Sequence, residues 1–294
     1  MRRVLTAILA AALISPIGAA AQSLTPSISG PLAAPRTTAP PATVIDLTPW
    51  RTRWVAEAVI AGKRRKLLFD TGAGLTHLAP TVSQEAGCTP FGRITGYNMM
   101  GDKGQGPKCE AIVLEFNGQT FRPAATGLID MGKNDPRDAE LDGLLGLDAF
   151  EDRAVTLDLR RGHIVVETEA SLKERTDRMT PLRLRLAREL GGLARAPYVA
   201  LSAKPGALWF ELDSGNGGTI LVSRPHAQLF GLDGAKEGPQ AVALDLAGGP
   251  SIRSPFAYTP DLIIDGNLGM PFLRDWIVTL YLKTARAWVT PAVS

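Results

Sequence analysis

The sequence predicts an all-β protein built from two similar lobes, on the strength of three observations. A short turn of Asp, a hydroxyl residue and Gly follows an apolar run in each half of the chain, at Asp70 and at Asp213. The residues downstream of each turn are also repeated. Apolar and polar residues alternate in several short segments, which indicates half-buried strands. Together these features predict two β lobes related by a pseudo-two-fold axis, with a few short helices.

The chain begins with a segment that is typical of a secretory signal peptide. Arg2 and Arg3 precede an apolar run over residues 4–14, which is too short to span a bilayer. Small residues then predict cleavage near Ala21. We therefore assign residues 1–21 to a signal peptide and expect a periplasmic or secreted protein with no membrane span in the mature chain.

Composition and charge limit what the rest of the chain does. Residues 22–43 are rich in Pro, Ala, Ser and Thr, which predicts a flexible linker. The formal net charge is +3, and loss of the two signal-peptide arginines leaves about +1. This near-neutral balance gives no reason to expect a nucleic-acid partner. The one basic run, residues 63–66, is interpreted as a solvated hairpin turn.

The remaining chain of about 250 residues is long enough for two lobes, which we place at residues 44–170 and 171–294. Val155, Leu157 and Leu159 illustrate the period-two spacing of the predicted strands. Short helices are predicted at residues 79–86 and 224–230, after the two Asp turns. The polar residues 170–180 are expected to link the lobes.

The internal repeat extends well beyond the two Asp turns. Residues 143–159 align without a gap with residues 266–282. The matching residues are Gly143, Leu145, Gly146, Asp152, Val155, Thr156, Leu157 and Leu159 in the first copy, and Gly266, Leu268, Gly269, Asp275, Val278, Thr279, Leu280 and Leu282 in the second. Such a repeat fits a duplicated structural unit.

The duplicated turns supply the residue type that activates water by acid–base chemistry. Two carboxyl groups held close together share one proton, because ionising both is costly. The ionised member accepts a proton from water while the protonated member donates its own to the substrate. Asp70 and Asp213 are therefore the candidate catalytic pair. Two unrelated surface turns, or a duplicated fold that has lost its catalytic pair, are the alternatives.

This arrangement resembles the retropepsin-like and pepsin-like aspartic proteases, in a two-lobed, exported, bacterial form. In that family an Asp-Thr/Ser-Gly turn is followed in the same lobe by two hydrophobic residues and Gly. Residues 70–72 with 144–146 match this pattern, as do residues 213–215 with 267–269. Asn216 and Asn267 depart from the pattern in the second half, where a small residue and an apolar residue are usual.

The resemblance implies two retropepsin-like β-barrel lobes and an aspartic endopeptidase that hydrolyses peptide or protein substrates without a cofactor. Because one chain carries both half-sites, a monomer is expected. The alternative is a non-catalytic peptide-binding protein on the same scaffold. The resemblance also implies that four residues support the catalytic turns: Thr71, Gly72, Ser214 and Gly215.

A glycine-rich stretch over residues 92–106 is typical of a mobile cover over a cleft. The resemblance makes it the flap, with Tyr97 as its substrate-facing residue, and the shorter second half predicts no equivalent flap. Cys88 and Cys109 bracket this stretch, and in an exported chain they favour a disulfide over two free thiols. The three histidines have no recognised ligand spacing, so no metal site is expected.

Overall fold

The computed structural model describes residues 42–204 and 206–292. The predicted signal peptide and all but the last two residues of the predicted linker lie outside these ranges. The first strand begins at Thr43, one residue before the predicted start of the first lobe. The regular structure is mostly β, as the sequence predicts.

The strands follow one another along the chain, separated by short turns and a few short helices. The first ten are β1 (Thr43–Trp50), β2 (Arg53–Ile60), β3 (Lys63–Phe69), β4 (His77–Leu78), β5 (Phe91–Tyr97), β6 (Lys103–Glu110), β7 (Leu114–Phe116), β8 (Gln119–Phe121), β9 (Ala125–Leu128) and β10 (Gly143–Leu145). The remainder are β11 (Ala154–Asp158), β12 (His163–Glu167), β13 (Thr180–Leu182), β14 (Leu184–Ala187), β15 (Ala196–Ala203), β16 (Gly206–Leu212), β17 (Ile220–Val222), β18 (Gln240–Asp245), β19 (Ser251–Tyr258), β20 (Gly266–Leu268), β21 (Trp276–Tyr281) and β22 (Arg286–Pro291).

The helices are short. They are α1 (Pro80–Glu85), α2 (Met131–Asn134), α3 (Glu169–Thr176), α4 (Glu189–Gly192) and α5 (Met270–Asp275). The helix predicted at residues 79–86 is α1, whereas the one predicted at 224–230 is a 3₁₀ turn. The segment over residues 170–180 is largely α3, whose N-terminus is capped by Thr168 and Ser171.

The two lobes have equivalent strand orders. In the first lobe, β10 is parallel to β3 and antiparallel to β4, and β4 is parallel to β9. In the second, β20 is parallel to β16 and antiparallel to β17, and β17 is parallel to β19. β3 and β16 are the strands that end at the two Asp turns. The sequence repeat is therefore a repeat of topology, and the prediction of two lobes related by a pseudo-two-fold axis is confirmed.

A further sheet joins the two halves of the chain, in the order β13-β22-β21-β11-β12-β1. At its centre, β11 and β21 are antiparallel, and Thr156 lies opposite Thr279. These two residues are equivalent in the sequence repeat. Equivalent residues can pair with each other only where the pseudo-two-fold axis passes between them.

The core is apolar and extends through both lobes. Its largest fully buried side chains include Phe69 and Phe150 in the first half, and Phe210 and Phe272 in the second. The strands that deliver the two Asp turns thus rest on buried aromatic and aliphatic side chains. Close packing of this kind holds the ends of these strands in fixed positions.

The interpretation of residues 63–66 as a hairpin turn was wrong. The turn lies at Ala61 and Gly62, both of which have positive φ angles, and the basic residues begin β3. Two-residue turns with positive φ at both positions match the twist of antiparallel strands. Lys63 and Arg65 then reach Glu85 on α1 as ion pairs.

Candidate active site

Each catalytic candidate lies directly after a strand of its lobe, in the same backbone setting. The backbone N–H of Asp70 donates to the carbonyl oxygen of Leu145 at 3.1 Å. The backbone N–H of Asp213 donates to the carbonyl oxygen of Leu268, also at 3.1 Å. The neighbouring parallel strands β10 and β20 therefore fix the position, relative to the sheet, at which each Asp turn begins.

The two turns pack against each other so that each glycine lies beneath the carboxyl group of the other lobe. A Cβ atom on Gly72 would lie 2.8 Å from Cγ of Asp213. A Cβ atom on Gly215 would lie 2.5 Å from Cγ of Asp70. Both separations are too short for any side chain, so only glycine permits this approach. The structure thus brings Asp70 and Asp213 together across the lobe boundary.

The hydroxyl groups of Thr71 and Ser214 connect the turns in a reciprocal pattern. The N–H of Thr71 donates to Oγ of Ser214 at 3.0 Å, and the N–H of Ser214 donates to Oγ1 of Thr71 at 3.0 Å. The Thr71 hydroxyl donates to the carbonyl of Leu212 at 2.6 Å, and the Ser214 hydroxyl to that of Phe69 at 2.9 Å. Both side chains are fully buried. Four backbone groups are therefore satisfied across the lobe boundary.

Backbone N–H groups hold the two carboxyl groups in place. Gly72 donates to Oδ1 of Asp70 at 2.9 Å, and Gly215 donates to Oδ1 of Asp213 at 2.8 Å. Burial raises the pKa of Asp70 to about 8, and the nearby charge of Asp213 and a hydrogen bond with it add to the effect. The pair therefore retains one proton at neutral pH, which is the state that acid–base catalysis by two carboxyl groups needs.

The second lobe carries a polar cluster that sequence reasoning missed. The side-chain amide of Asn267 donates to Oδ2 of Asp213 at 2.8 Å and to Oε2 of Glu211 at 3.3 Å. Asn216, one residue beyond the second turn, donates to Oδ1 of Asn267 at 2.8 Å. Asn267 is fully buried, and Glu211 is 7% exposed. The two departures from the family pattern are thus partners of each other and of a catalytic candidate.

Burial raises the pKa of Glu211 well above its usual range, and the charges of Asp213, Asp70 and Glu189 act in the same direction. The shift favours the neutral form of Glu211. The sequence did hold a signal for this group. A glutamate stands in the apolar run before the second Asp turn, at the position that Leu68 occupies in the first lobe.

The predicted flap is the hairpin of β5 and β6. Strand β6 is antiparallel to β9 of the first lobe, and the Cys88–Cys109 disulfide lies at the base of the hairpin, with Cα atoms 5.7 Å apart. The preference for a disulfide over free thiols is confirmed. Tyr97 is at the end of β5 and is 63% exposed. In the second lobe the chain runs from the 3₁₀ turn at residues 224–230 into the antiparallel hairpin of β18 and β19.

The tip of the flap reaches the second lobe. The backbone N–H of Ile263 donates to the carbonyl oxygen of Met99 at 3.0 Å. A Cβ atom on Gly101 would lie 3.0 Å from the Ile263 side chain, so the two segments are in direct contact. On β5, Gly96 lies equally close to the side chain of Leu190. The hairpin therefore extends from its base on one lobe to contacts on the other.

Two further observations concern metals and membranes. Over residues 42–204 and 206–292, no group of three or more His, Cys, Asp or Glu side chains is arranged to hold a metal ion. No helix in the same ranges is both long and apolar enough to cross a membrane.

Comparison with known proteins identifies the fold. No protein-family model and no curated protein sequence matches this chain. Among solved structures, an aspartic proteinase from Irpex lacteus is similar, with a TM-score of 0.53 and 11% identity over 85% of this chain and 97% of that one. The chain has the two-lobed aspartic proteinase fold.

Two basic 7S globulins are among the other similar structures. Basic 7S globulin from soybean superimposes with a TM-score of 0.56, and conglutin gamma, a basic 7S globulin from lupine seeds, with 0.58. Each is 10% identical to this chain over 86% of its length and 95% of their own. Identities this low establish the shared fold and leave function to be argued from the site itself.

Proposed function

We propose that this protein is an aspartic endopeptidase, in which a water molecule between Asp70 and Asp213 attacks the peptide bond. The observation that carries the proposal is the approach of the two turns, in which each glycine lies under the opposite carboxyl group. The elevated pKa of Asp70 supports it, because a shared proton is a chemical requirement of the reaction.

In the reaction, the ionised carboxylate of the pair removes a proton from the bound water as its oxygen attacks the substrate carbonyl carbon. The protonated carboxyl group donates its proton to the carbonyl oxygen, and a tetrahedral intermediate forms. Return of a proton to the amide nitrogen allows the C–N bond to break. The fully buried contacts of Thr71 and Ser214 keep the two carboxyl groups in register during these steps.

The substrate class follows from the cleft and the flap. A peptide in extended conformation fits between two β lobes, with the hairpin of β5 and β6 covering it and Tyr97 facing it. Since both half-sites belong to one chain, we propose that the active species is a monomer. The disulfide at the base of the flap favours an oxidising compartment, which supports the proposal of a periplasmic or secreted enzyme.

The second candidate function is peptide binding without hydrolysis. Two of the similar structures are named as globulins and one as a proteinase. The fold alone therefore does not decide between hydrolysis and binding. The two candidates differ in what happens to a bound peptide. An endopeptidase releases two new termini, whereas a binding protein returns the peptide intact.

The test is incubation of the purified mature protein with a mixed peptide library from acidic to neutral pH, followed by mass spectrometry. Asp70→Asn and Asp213→Asn should each abolish cleavage while retaining the fold. Asp152→Asn is the matched control, because Asp152 is an exposed carboxylate in a turn. Cleavage that persists in either catalytic variant would remove that residue from the mechanism, and retention of intact peptides by wild-type protein would favour the binding function.

A further inference from the structure

The orientation of the Asn267 side-chain amide is fixed by its neighbours. Oδ1 of Asn216 accepts the backbone N–H groups of Gly218 at 3.2 Å and Thr219 at 3.4 Å. Its Nδ2 therefore faces the carbonyl of Thr219, at 2.9 Å, and Oδ1 of Asn267. Because Oδ1 of Asn267 must accept this bond, its NH₂ group points towards Asp213. The chain of donors and acceptors leaves one orientation for each amide.

This amide distinguishes the two members of the catalytic pair. Both Asp70 and Asp213 accept a backbone N–H from the glycine of their own turn. The next backbone N–H also acts on each carboxyl group, since Asn216 donates to Oδ1 of Asp213 at 3.1 Å and a hydrogen bond from Ala73 lowers the pKa of Asp70. Asp213 also accepts the N–H of Asn267, which donates to the second carboxyl oxygen. The residue equivalent to Asn267 in the first lobe is Leu144, which has no hydrogen-bond donor in its side chain. Hydrogen bonds from neutral donors to a carboxylate favour its ionised form.

The other groups around the amide do not cancel this effect. Glu211 accepts the second N–H of Asn267, and the Tyr198 hydroxyl donates to Oε1 of Glu211 at 3.4 Å. Burial raises the pKa of Glu211, which disfavours a second negative charge beside the amide. Glu189 is the remaining acidic group that acts on Glu211 and Tyr198. Burial raises the pKa of Tyr198, so its hydroxyl stays protonated and remains a donor.

We propose that Asn267 is a positioning residue that polarises the catalytic pair, so that Asp213 carries the negative charge and Asp70 keeps the shared proton. This proposal rests on the proposed function, in which the pair activates water. Asp213 then acts as the base that takes a proton from water, and Asp70 as the acid that protonates the substrate carbonyl. Asn267 does not touch the reacting atoms and acts only through Asp213.

The elevated pKa of Asp70 is consistent with this assignment, because a proton held by Asp70 is lost only after Asp213 has ionised. In a pair without the amide, the charge of the singly ionised state would be divided between the two carboxyl groups. Loss of Asn267 should therefore destabilise the singly ionised state relative to the fully protonated one. It should have little effect on the second ionisation, since Asp213 is charged both before and after that step.

The experiment is ¹³C NMR of protein labelled at the aspartate side-chain carboxyl carbons, titrated with pH. Resonances of the pair are assigned from Asp70→Asn and Asp213→Asn. In wild-type protein, the Asp213 carboxyl carbon should titrate in the first step and the Asp70 carbon in the second. This titration measures the protonation state of each carboxyl group and does not require hydrolysis of a substrate. Absence of hydrolysis would therefore count against the proposed function, while the titration would still test the role of Asn267.

The variant Asn267→Leu places the leucine of the first lobe at the equivalent position in the second. It should raise the apparent pKa of the first ionisation of the pair by about one unit and leave the apparent pKa of the second unchanged. The acidic limb of the pH profile of kcat/KM should shift to higher pH by the same amount, while the alkaline limb should stay at the same pH. Adding Leu144→Asn, which provides an amide on the Asp70 side, should lower the first step again and transfer it to Asp70. The proposal is overturned if Asp70 titrates first in wild-type protein, or if Asn267→Leu leaves the first step unchanged. The wild-type titration needs no substitution at position 267, so a variant that fails to fold does not prevent a decision.

Discussion

Thr156 and Thr279 face each other at the centre of the sheet that joins the lobes, with their hydroxyl oxygens 2.8 Å apart. They are the same residue in the two copies of the sequence repeat, and the residues on either side pair in the matching order. Thr71 and Ser214 are a second equivalent pair in mutual contact, at the catalytic turns. The pseudo-two-fold axis therefore passes between both pairs, and the carboxyl groups of Asp70 and Asp213 lie on either side of it.

The first prediction concerns the buried hydroxyl of Thr71. Thr71→Val should lower the free energy of unfolding by about 3 kcal/mol, because it leaves the Leu212 carbonyl and the Ser214 N–H without a partner. Activity should fall as well, since the turns lose their register. Thr71→Ser is the matched control, because it retains the hydroxyl and the second lobe already uses serine. Chemical denaturation of both variants measures the effect, and equal stability of the two would show that the hydroxyl contributes nothing.

The second prediction concerns Asp70 and the pH dependence of stability. Its pKa in the folded protein is raised to about 8 from an ordinary value near 3.8. The folded state therefore holds a proton that the unfolded chain releases, and stability falls as pH rises from about 4 to 8. Asp70→Asn cannot ionise, so its thermal midpoint relative to wild-type protein should rise across this window. A difference between the two midpoints that does not change with pH would contradict the raised pKa.

The third prediction concerns Asp148, a buried carboxyl group outside the pair of Asp70 and Asp213. Its Oδ1 accepts the Thr76 hydroxyl at 2.7 Å, while its buried Oδ2 has no hydrogen-bond partner among the described residues. Burial raises its pKa to about 7. Stability should therefore decrease as pH rises from about 4 to 7, and Asp148→Asn should remove that part of the decrease.

Thermal melts of Asp148→Asn and wild-type protein at several pH values provide the check. Asp46→Asn, at a largely exposed position, is the control that shows the effect of removing a surface carboxylate. The pH range distinguishes this variant from Asp70→Asn, because the stabilisation of Asp148→Asn relative to wild-type protein should stop increasing above pH 7. A stabilisation that is already complete at pH 4 would mean that Asp148 titrates alike in the folded and unfolded states, and would refute the prediction.

The fourth prediction concerns the base of the flap. The Cys88–Cys109 disulfide closes a segment with a sequence separation of 21 residues. Replacing both cysteines with serine should lower the free energy of unfolding by about 3 kcal/mol, because the unfolded chain gains conformational freedom. Turnover should also decrease, since the hairpin loses a fixed base. Wild-type protein treated with a mild reductant should behave like the double variant, whereas unchanged melting after verified reduction would rule out a stabilising role.

The sequence was sufficient to predict the features that depend on the internal repeat or on neighbouring residues. The equivalence of the two turns, the two-lobed β fold, the cysteine pair and the hairpin over residues 92–106 all follow from spacing and composition. The signal for Asn267 was read only as a departure from a pattern, because its role depends on contacts with Asp213 and Glu211, more than fifty positions away. Such contacts arise when β20 is placed beside β16, which periodicity alone does not reveal.

The helix α3 was missed for a different reason. It has no buried residue, so no apolar face marks it in the sequence. Its evidence is the cap formed by Thr168 and Ser171, and serine at the third helical position is a weaker signal than the glutamate or glutamine of the usual motif. The basic run at residues 63–66 was misjudged because composition outweighed the preceding Ala-Gly turn.

The hydrogen bond between Ile263 and Met99 ties the flap to the far lobe as well as to its own. Under the proposed function, we expect a passage that is bridged in this way to admit a single extended strand and to exclude a folded domain. We therefore expect a target protein to be cut only where its chain frays or has never folded. The rate of cleavage would then depend on how often the target opens as much as on which residues flank the cut.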